Sequence, residues 1–200
     1  LPIIIATGAS TIEDVDRAVN ILIKNGNQIC VMQCNTNYTT DADKIKYVNL
    51  RVLEEYRKRY PSVILGLSDH TLSSTSVLGS LMLDVKIIEK HFTDDNSRDG
   101  PDHEFAINPK NWRHMVDTSK ELIDELGDGI KKIEKNEVNS FRVQRRCCTL
   151  KRDLSKNSSI QNDDIEMLRP CPEGSIHPYE KEKILGKRLA KDLKKGDALL

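Results

Sequence analysis

Val63-Ile64-Leu65-Gly66-Leu67-Ser68-Asp69-His70-Thr71 passes within nine residues from unbroken apolar character to an unbroken polar run. The apolar part, Val63 to Leu67, suits a strand buried on both faces, the condition of strands in a parallel sheet. The polar part would then sit at the strand's C-terminal end, where parallel α/β folds collect their reactive groups. Three other runs have the same character: Ile3 to Ala6, Ile29 to Gln33 and Val85 to Glu89. Amphipathic segments separate them. One starts at Ser10, where Ser10-Thr11-Ile12-Glu13 reads as a capping box, and places Ile12, Val15, Val19 and Leu22 on one face before Gly26 ends it. A second, Asp43 to Arg59, carries Ile45, Val48, Val52 and Tyr56 at helical spacing and stops at Pro61; a third spans Ser73 to Leu83. Asn108-Pro109 is an N-cap followed by proline at the first helical position, and the helix it opens turns Trp112, Met115, Ser119, Leu122 and Leu126 inward.

Strand followed by helix, four times over, with strand starts spaced roughly 22 to 34 residues apart, is the pattern of α/β architecture. It fits the C-terminal half of a (β/α)8 barrel and a small open sheet equally. A half barrel would expose parallel edges, so further strands upstream, or a partner supplying them, are expected. The opening Leu1-Pro2-Ile3-Ile4-Ile5 has no Met, basic region or long apolar stretch, which reads neither as a signal peptide nor as a membrane span; the chain is expected to begin in mid-fold. After Gly127-Asp128-Gly129 the character changes. Residues 1–129 read as the partial barrel and 130–140 as a charged linker. Residues 141–200 read as a small, mostly β domain with a strand from Val143 to Leu150 and a short helix near Tyr179 to Leu185.

Thirty-one basic residues balance 31 acidic ones. That gives no electrostatic footprint for nucleic acid, and nothing points to a membrane. The five cysteines form an odd set without a C-x-x-C pair, which argues against a zinc ribbon or a disulfide scaffold and for reduced thiols in a cytoplasm.

The chemistry concentrates at the strand ends. Strand alternation puts Ser68 with His70 on one face, and Glu89 with His91 on one face of the next strand. If both faces point inward, two imidazoles, a carboxylate and a hydroxyl converge, and neighbouring strands are close enough for the two histidines to share a divalent metal, a weak and exchangeable site with only two protein ligands. Lys90, between Glu89 and His91, should point the other way, into the helix layer. The Gly100-Pro101-Asp102-His103 loop either presents Asp102 to a polyhydroxylated ligand or is a solvated turn. Tyr38 either contacts a ligand or packs against a neighbouring loop. His114 and His177 stand apart from any cluster and read as structural. No phosphate-cradling glycine loop and no nucleophile elbow occurs.

Four ordered strings, Gln33-Cys34-Asn35-Thr36-Asn37-Tyr38, Gly66-Leu67-Ser68-Asp69-His70-Thr71, Ile88-Glu89-Lys90-His91-Phe92-Thr93 and Gly100-Pro101-Asp102-His103, closely resemble the N-acetylneuraminate (sialic acid) synthase family. Arg145-Arg146, Leu168-Arg169-Pro170 and Ile184-Leu185-Gly186-Lys187 resemble its C-terminal antifreeze-like (SAF) domain, so the resemblance spans essentially the whole chain. It implies the C-terminal half of a TIM barrel followed by that domain. The implied enzyme condenses phosphoenolpyruvate with an N-acylated mannosamine-like sugar, giving a nonulosonic acid and phosphate. A dideoxy diacetamido sugar, as in legionaminic or pseudaminic acid synthesis, and a non-catalytic carbohydrate-binding subunit are the alternatives.

The resemblance also implies residue roles. His70 and His91 would hold a divalent metal, Mn2+ or Mg2+, and Glu89 would lie beside the reacting carbons. Ser68, with Thr36, would bind the phosphoenolpyruvate phosphate; Tyr38 and Asp102 would face the sugar. Arg169 would enter a neighbouring subunit's site in a domain-swapped homodimer. Thr36 stands where many relatives carry Asn or Ser, Cys147-Cys148 replace the more usual Ser and aliphatic residue, and the stretch from Arg169 to Pro178 is longer than the common form. The family's N-terminal strands, which carry catalytic glutamate and phosphate-binding lysine positions, have no counterpart here, so the 200 residues alone are expected to be inactive.

Overall fold

Four strands, β1 (Ile3–Ala6), β2 (Ile29–Cys34), β3 (Ile64–Asp69) and β4 (Ile87–Lys90), lie side by side in sequence order, each parallel to the next. This is a computed structural model, and it describes residues 1–38 and 42–200, the side chain of residue 42 excepted. Helices α1 (Ile12–Lys24), α2 (Val52–Arg59), α3 (Thr75–Met82) and α4 (Pro109–Leu126) complete the first of two units, Leu1–Gly129.

The two faces of the sheet differ because strand side chains alternate. Ile5, Ile29, Val31, Leu65, Leu67 and Ile88 face the helices, packing with Val15, Val19, Leu53, Tyr56, Val77 and Met115 into one apolar core. The opposite face carries Ile4, Cys30, Met32, Ile64 and Gly66, then Ser68 and Glu89, in the register Ile4↔Cys30↔Ile64 and Met32↔Gly66↔Ile87. The first unit is thus the half barrel that the βα alternation allowed. Gly66 has no room for a side chain: a Cβ there would stand 2.6 Å from Met32 Cγ and 2.9 Å from Cys30 Sγ.

Local boundaries differ from the sequence reading. The capping box of α1 is Thr11 and Asp14, not Ser10 and Glu13: Thr11 has the extended N-cap backbone, and the Asp14 carboxylate accepts from its amide at 2.9 Å. The Ser10 hydroxyl instead donates to the Gly8 carbonyl. The single helix expected over Asp43–Arg59 is two pieces, a 3-10 segment (Ala42–Tyr47) and α2, separated where Asn49 takes a left-handed backbone (φ 48°). Ile45 consequently lies exposed rather than inward. The left-handed Asp84 (φ 62°) likewise turns Val85 out of the ladder and delays β4 to Ile87. In α4, Met115 is buried and Trp112 packs on the core, but Leu126 is exposed in the last turn.

The second unit, Ile130–Leu200, pairs β5 (Cys147–Leu150) with β6 (Ile165–Leu168) antiparallel. Single bridges, Thr149↔Ala198, Leu154↔Leu193 and Ser159↔Arg188, extend the β character around a core of Cys148, Leu150, Ile160, Ile165, Ile184, Leu189 and Leu199. The stretch 130–140 contains a 3-10 turn (Lys135–Glu137) and the start of α5 (Val138–Gln144), which takes up Val143 so that the strand begins at Cys147. The short helix expected near Tyr179 is a 3-10 segment, Pro178–Lys183. All five cysteines are free thiols, and among the described residues no helix is long and apolar enough to cross a membrane.

Candidate active site at the strand ends

The parallel register carries β3 and β4 forward in step, so their C-terminal residues meet as pairs. Ser68 lies opposite Glu89 and donates its hydroxyl proton to Glu89 Oε1 at 3.2 Å. One residue on, Asp69 lies opposite Lys90 on the helix side of the sheet. One residue further, the rings of His70 and His91 stand 5.0 Å apart, centroid to centroid. Tyr38, at the exit of β2, meets both edge-on, at 4.6 Å from His70 and 5.5 Å from His91. Phe105 backs the group, 5.2 Å from His91 and 6.1 Å from Tyr38.

A hydrogen bond orients the His70 imidazole, and a carboxylate lies beside that of His91. His70 Nδ1 is 3.1 Å from the Asn35 carbonyl, which can only accept, so Nδ1 carries the proton and the Nε2 lone pair remains for another partner. Burial, and after it the neighbouring His91, pushes the His70 pKa below its ordinary value and keeps the ring neutral near pH 7. His91 Nδ1 lies 3.4 Å from the Asp102 carboxylate.

Asp102 reaches His91 because its loop is pinned. The Asn96 amide donates to the His103 and Ala106 carbonyls, both at 2.8 Å, and Asn108 donates to Asn96 Oδ1 at 2.9 Å. Asn108 also caps α4, its Oδ1 accepting from Asn111 N. Asp102 itself is half exposed. Its carboxylate lies beside one of the two histidines.

Six of the sequence-predicted residues, Glu89, Ser68, His70, His91, Tyr38 and Asp102, thus gather at one end of the sheet. Thr36 sits at the same end but is turned toward β1: a Cβ on Gly8 would collide with its Oγ1 at 1.6 Å. Arg169 follows β6 in the second unit and is exposed there. Lys90 points into the helix layer, as alternation requires, with its ammonium 2.6 Å from Asp69 Oδ2. Sequence reasoning passed over Phe105 and Lys44. Both are buried, with the Lys44 ammonium 5.2 Å from the Phe105 ring centre. The signal for Phe105 was its place two residues after the Gly-Pro-Asp-His string; Lys44 lay in what read as an ordinary helix and gave none.

With this geometry, likeness to known proteins becomes informative. The NeuB family model matches residues 1–131, and the SAF domain model matches residues 145–200. The chain belongs to the NeuB family. An N,N'-diacetyllegionaminic acid synthase of Legionella pneumophila is 33% identical over 205 residues, covering 100% of this chain and 56% of the relative. A pseudaminic acid synthase of Campylobacter jejuni is 30% identical over 200 residues, covering 99% and 56%. Among solved structures, the spore coat polysaccharide biosynthesis protein SpsE of Bacillus subtilis matches with a TM-score of 0.58 at 27% identity, over 100% of this chain and 60% of that one. The chain spans about half the length of the curated relatives it matches.

Among the described residues of this NeuB-family chain, no three His, Cys, Asp or Glu side chains are grouped to hold a metal. The donor set is two imidazoles, His70 with Nδ1 hydrogen-bonded to a carbonyl and His91 with Nδ1 beside the Asp102 carboxylate. That fits a divalent cation whose remaining ligands are water and substrate, and it does not fit a closed structural zinc site, which needs four protein donors.

Proposed function

We propose that this chain is the C-terminal part of a nonulosonic acid synthase that condenses phosphoenolpyruvate with an N-acylated mannosamine-like sugar and releases phosphate. The observation that carries the reading is the pairing across β3 and β4: Ser68 against Glu89 and His70 beside His91, with Asp102 and Tyr38 closing on the histidines. In the reaction, the methylene carbon of phosphoenolpyruvate forms a bond to the aldehyde carbon of the open-chain sugar. Water supplies the new oxygen at the former enol carbon, and phosphate departs.

The chain's residues contribute orientation and charge. Ser68, together with Thr36, binds the phosphate end of phosphoenolpyruvate, and Tyr38 and Asp102 line the sugar side. Glu89 stabilises the positive charge that develops at the pyruvyl carbon, or takes a proton from the incoming water; its Ser68 hydrogen bond holds the carboxylate in place for either task. Holding the two reacting carbons at roughly 3–3.5 Å is the larger part of the work. His70 and His91 would hold Mn2+ or Mg2+, which supplies Lewis acidity toward a carbonyl oxygen and a template for the substrates. In a homodimer, Arg169 of each chain serves the other chain's site.

The substrate sugar is N-acylated at minimum. The legionaminic and pseudaminic acid synthases among the relatives favour a dideoxy diacetamido sugar as the second reading. The test is phosphate release by the complete gene product, supplied with phosphoenolpyruvate, Mn2+ and either N-acetylmannosamine or a diacetamido dideoxy analogue. We expect release with one of the sugars, none when pyruvate replaces phosphoenolpyruvate, and loss of turnover with retained fold in His70→Ala and His91→Ala. Binding of phosphoenolpyruvate and sugar without phosphate release would instead establish a carbohydrate-binding subunit, and unimpaired turnover in both histidine variants would remove them from the site.

A further inference from the structure

We infer that Asp69 and Lys90, a buried ion pair on the reverse side of the sheet, are the positioning residues that hold His70, Glu89 and His91 in their working register. Asp69 directly precedes His70, and Lys90 stands between Glu89 and His91; the ladder sets the two opposite each other. Their side chains are 1% and 2% exposed and meet at 2.6 Å. The pair is fully satisfied. Asp69 Oδ1 accepts from the Thr71 amide at 2.9 Å, and Oδ2 accepts from the Thr71 hydroxyl at 3.1 Å and the Ser76 hydroxyl at 2.5 Å. The three protons of Lys90 have three acceptors: Asp69 Oδ2, the Thr71 carbonyl at 2.6 Å and the Ser73 carbonyl at 3.4 Å.

An apolar pair would fill the same space, and buried ion pairs are often no more stable than apolar replacements. What only the ion pair supplies is direction. Through Thr71 and Ser73, Lys90 ties β4 to the backbone leaving His70, and through Ser76 the Asp69 carboxylate ties that backbone to α3. A shift of either strand end along its axis breaks several charged hydrogen bonds together, so the offset between His70 and His91 is fixed from behind, by groups that touch no substrate.

This inference rests on the reading of His70 and His91 as a metal-holding pair, and the experiment separates the two. In the complete protein, Lys90→Met, Asp69→Asn and the double variant are compared in urea midpoint, in Mn2+ affinity by the resonance signal of free Mn2+, and in the ring NMR shifts of His70 and His91. The double variant removes both charges and keeps an acceptor for the Thr71 amide, so it folds even where Lys90→Met, left with a lone buried carboxylate, does not. We expect the double variant to recover most of the lost urea midpoint yet to bind Mn2+ at least tenfold more weakly, with both histidine rings shifted. Recovery of midpoint, affinity and ring positions together makes the pair merely structural and overturns the inference, as do unmoved rings and wild-type affinity in the single variants. A wild-type protein that takes up no Mn2+ refutes the metal reading instead, and the ring shifts of the variants then decide the positioning role.

Discussion

Replacing Gly66 by alanine adds one methyl group in the middle of β3, on the face that leads to Ser68 and His70. In an open strand this change is favourable, since alanine restricts the unfolded chain and gains about 0.4–1 kcal/mol. Here three atoms meet the new carbon: Met32 Cγ at 2.6 Å, Cys30 Sγ at 2.9 Å and the Ile87 carbonyl oxygen at 3.2 Å. Carbon contacts are optimal near 3.5–4.0 Å, so the first is short by roughly 1 Å. Met32 is flexible but 1% exposed, and the Ile87 carbonyl is backbone of the adjoining strand, so neither neighbour yields cheaply. Overpacking of this kind costs about 1–3 kcal/mol, with three simultaneous contacts toward the upper end. The net expectation is a loss of about 1–2 kcal/mol, which at a urea m-value of about 2 kcal/mol per molar lowers the midpoint by about 0.5–1 M. Trp112, the single tryptophan, packs on the core of the first unit, so its fluorescence follows that unit alone. Gly79→Ala is the control with the opposite sign: its Cβ meets only the end of the Leu50 side chain, at 3.0 Å, and alanine within α3 gains up to about 1 kcal/mol. A Gly66→Ala midpoint equal to or above wild type would refute the packing argument.

Asn108→Ala removes the cap of α4 and the anchor of Asn96 together, so thermal unfolding should show a loss of about 1–2 kcal/mol; proteolysis should also cut faster in 94–105, the loop that brings Asp102 to His91. In the second unit, the Asp164 carboxyl lies below its ordinary value, held down first by the Gln161 amide and then by Arg152. A carboxyl depressed in the folded state stabilises fully above the unfolded pKa of about 3.9 and loses that contribution as pH falls through the folded value. Urea titrations followed by circular dichroism should therefore show the second unit weakening below about pH 4, and Asp164→Asn should flatten that acid limb; an unchanged limb would count against it.

The alternation of apolar runs with amphipathic segments was enough to read the parallel half sheet, because burial on both faces leaves a plain signature in residues such as Ile29-Cys30-Val31-Met32. Period-two alternation also placed Ser68, His70, Glu89 and His91 on one side and Lys90 on the other, which is where the side chains lie; their roles remain with the proposal above. What stayed hidden depended on distances between segments. Nothing in the sequence states that Asp69 falls opposite Lys90, since that needs the register of two strands whose paired residues lie 21 apart. The break at Asn49 and the delayed start of β4 come from single left-handed residues, Asn49 and Asp84, in windows whose apolar spacing still favoured continuous elements. The capping box moved by one residue because Ser10 and Thr11 are both competent caps, and the Asp14 carboxylate, not the nearer Glu13, reaches back to the amide. Asp102 could be read as a loop carboxylate but not as a neighbour of His91, because the asparagines that fold the loop back lie at 96 and 108, outside its own motif.

The step-by-step pairing of β3 with β4 also limits how this protein can change over generations. Inserting or deleting one residue between Gly66 and His70 would rotate everything after it by half a turn, driving Asp69 into the mouth and an imidazole into the helix layer. Inherited variation at these strand ends is therefore restricted to substitutions. Length changes are tolerated only where the chain is clear both of the ladder and of the Asn96–Asn108 anchor that brings Asp102 to His91.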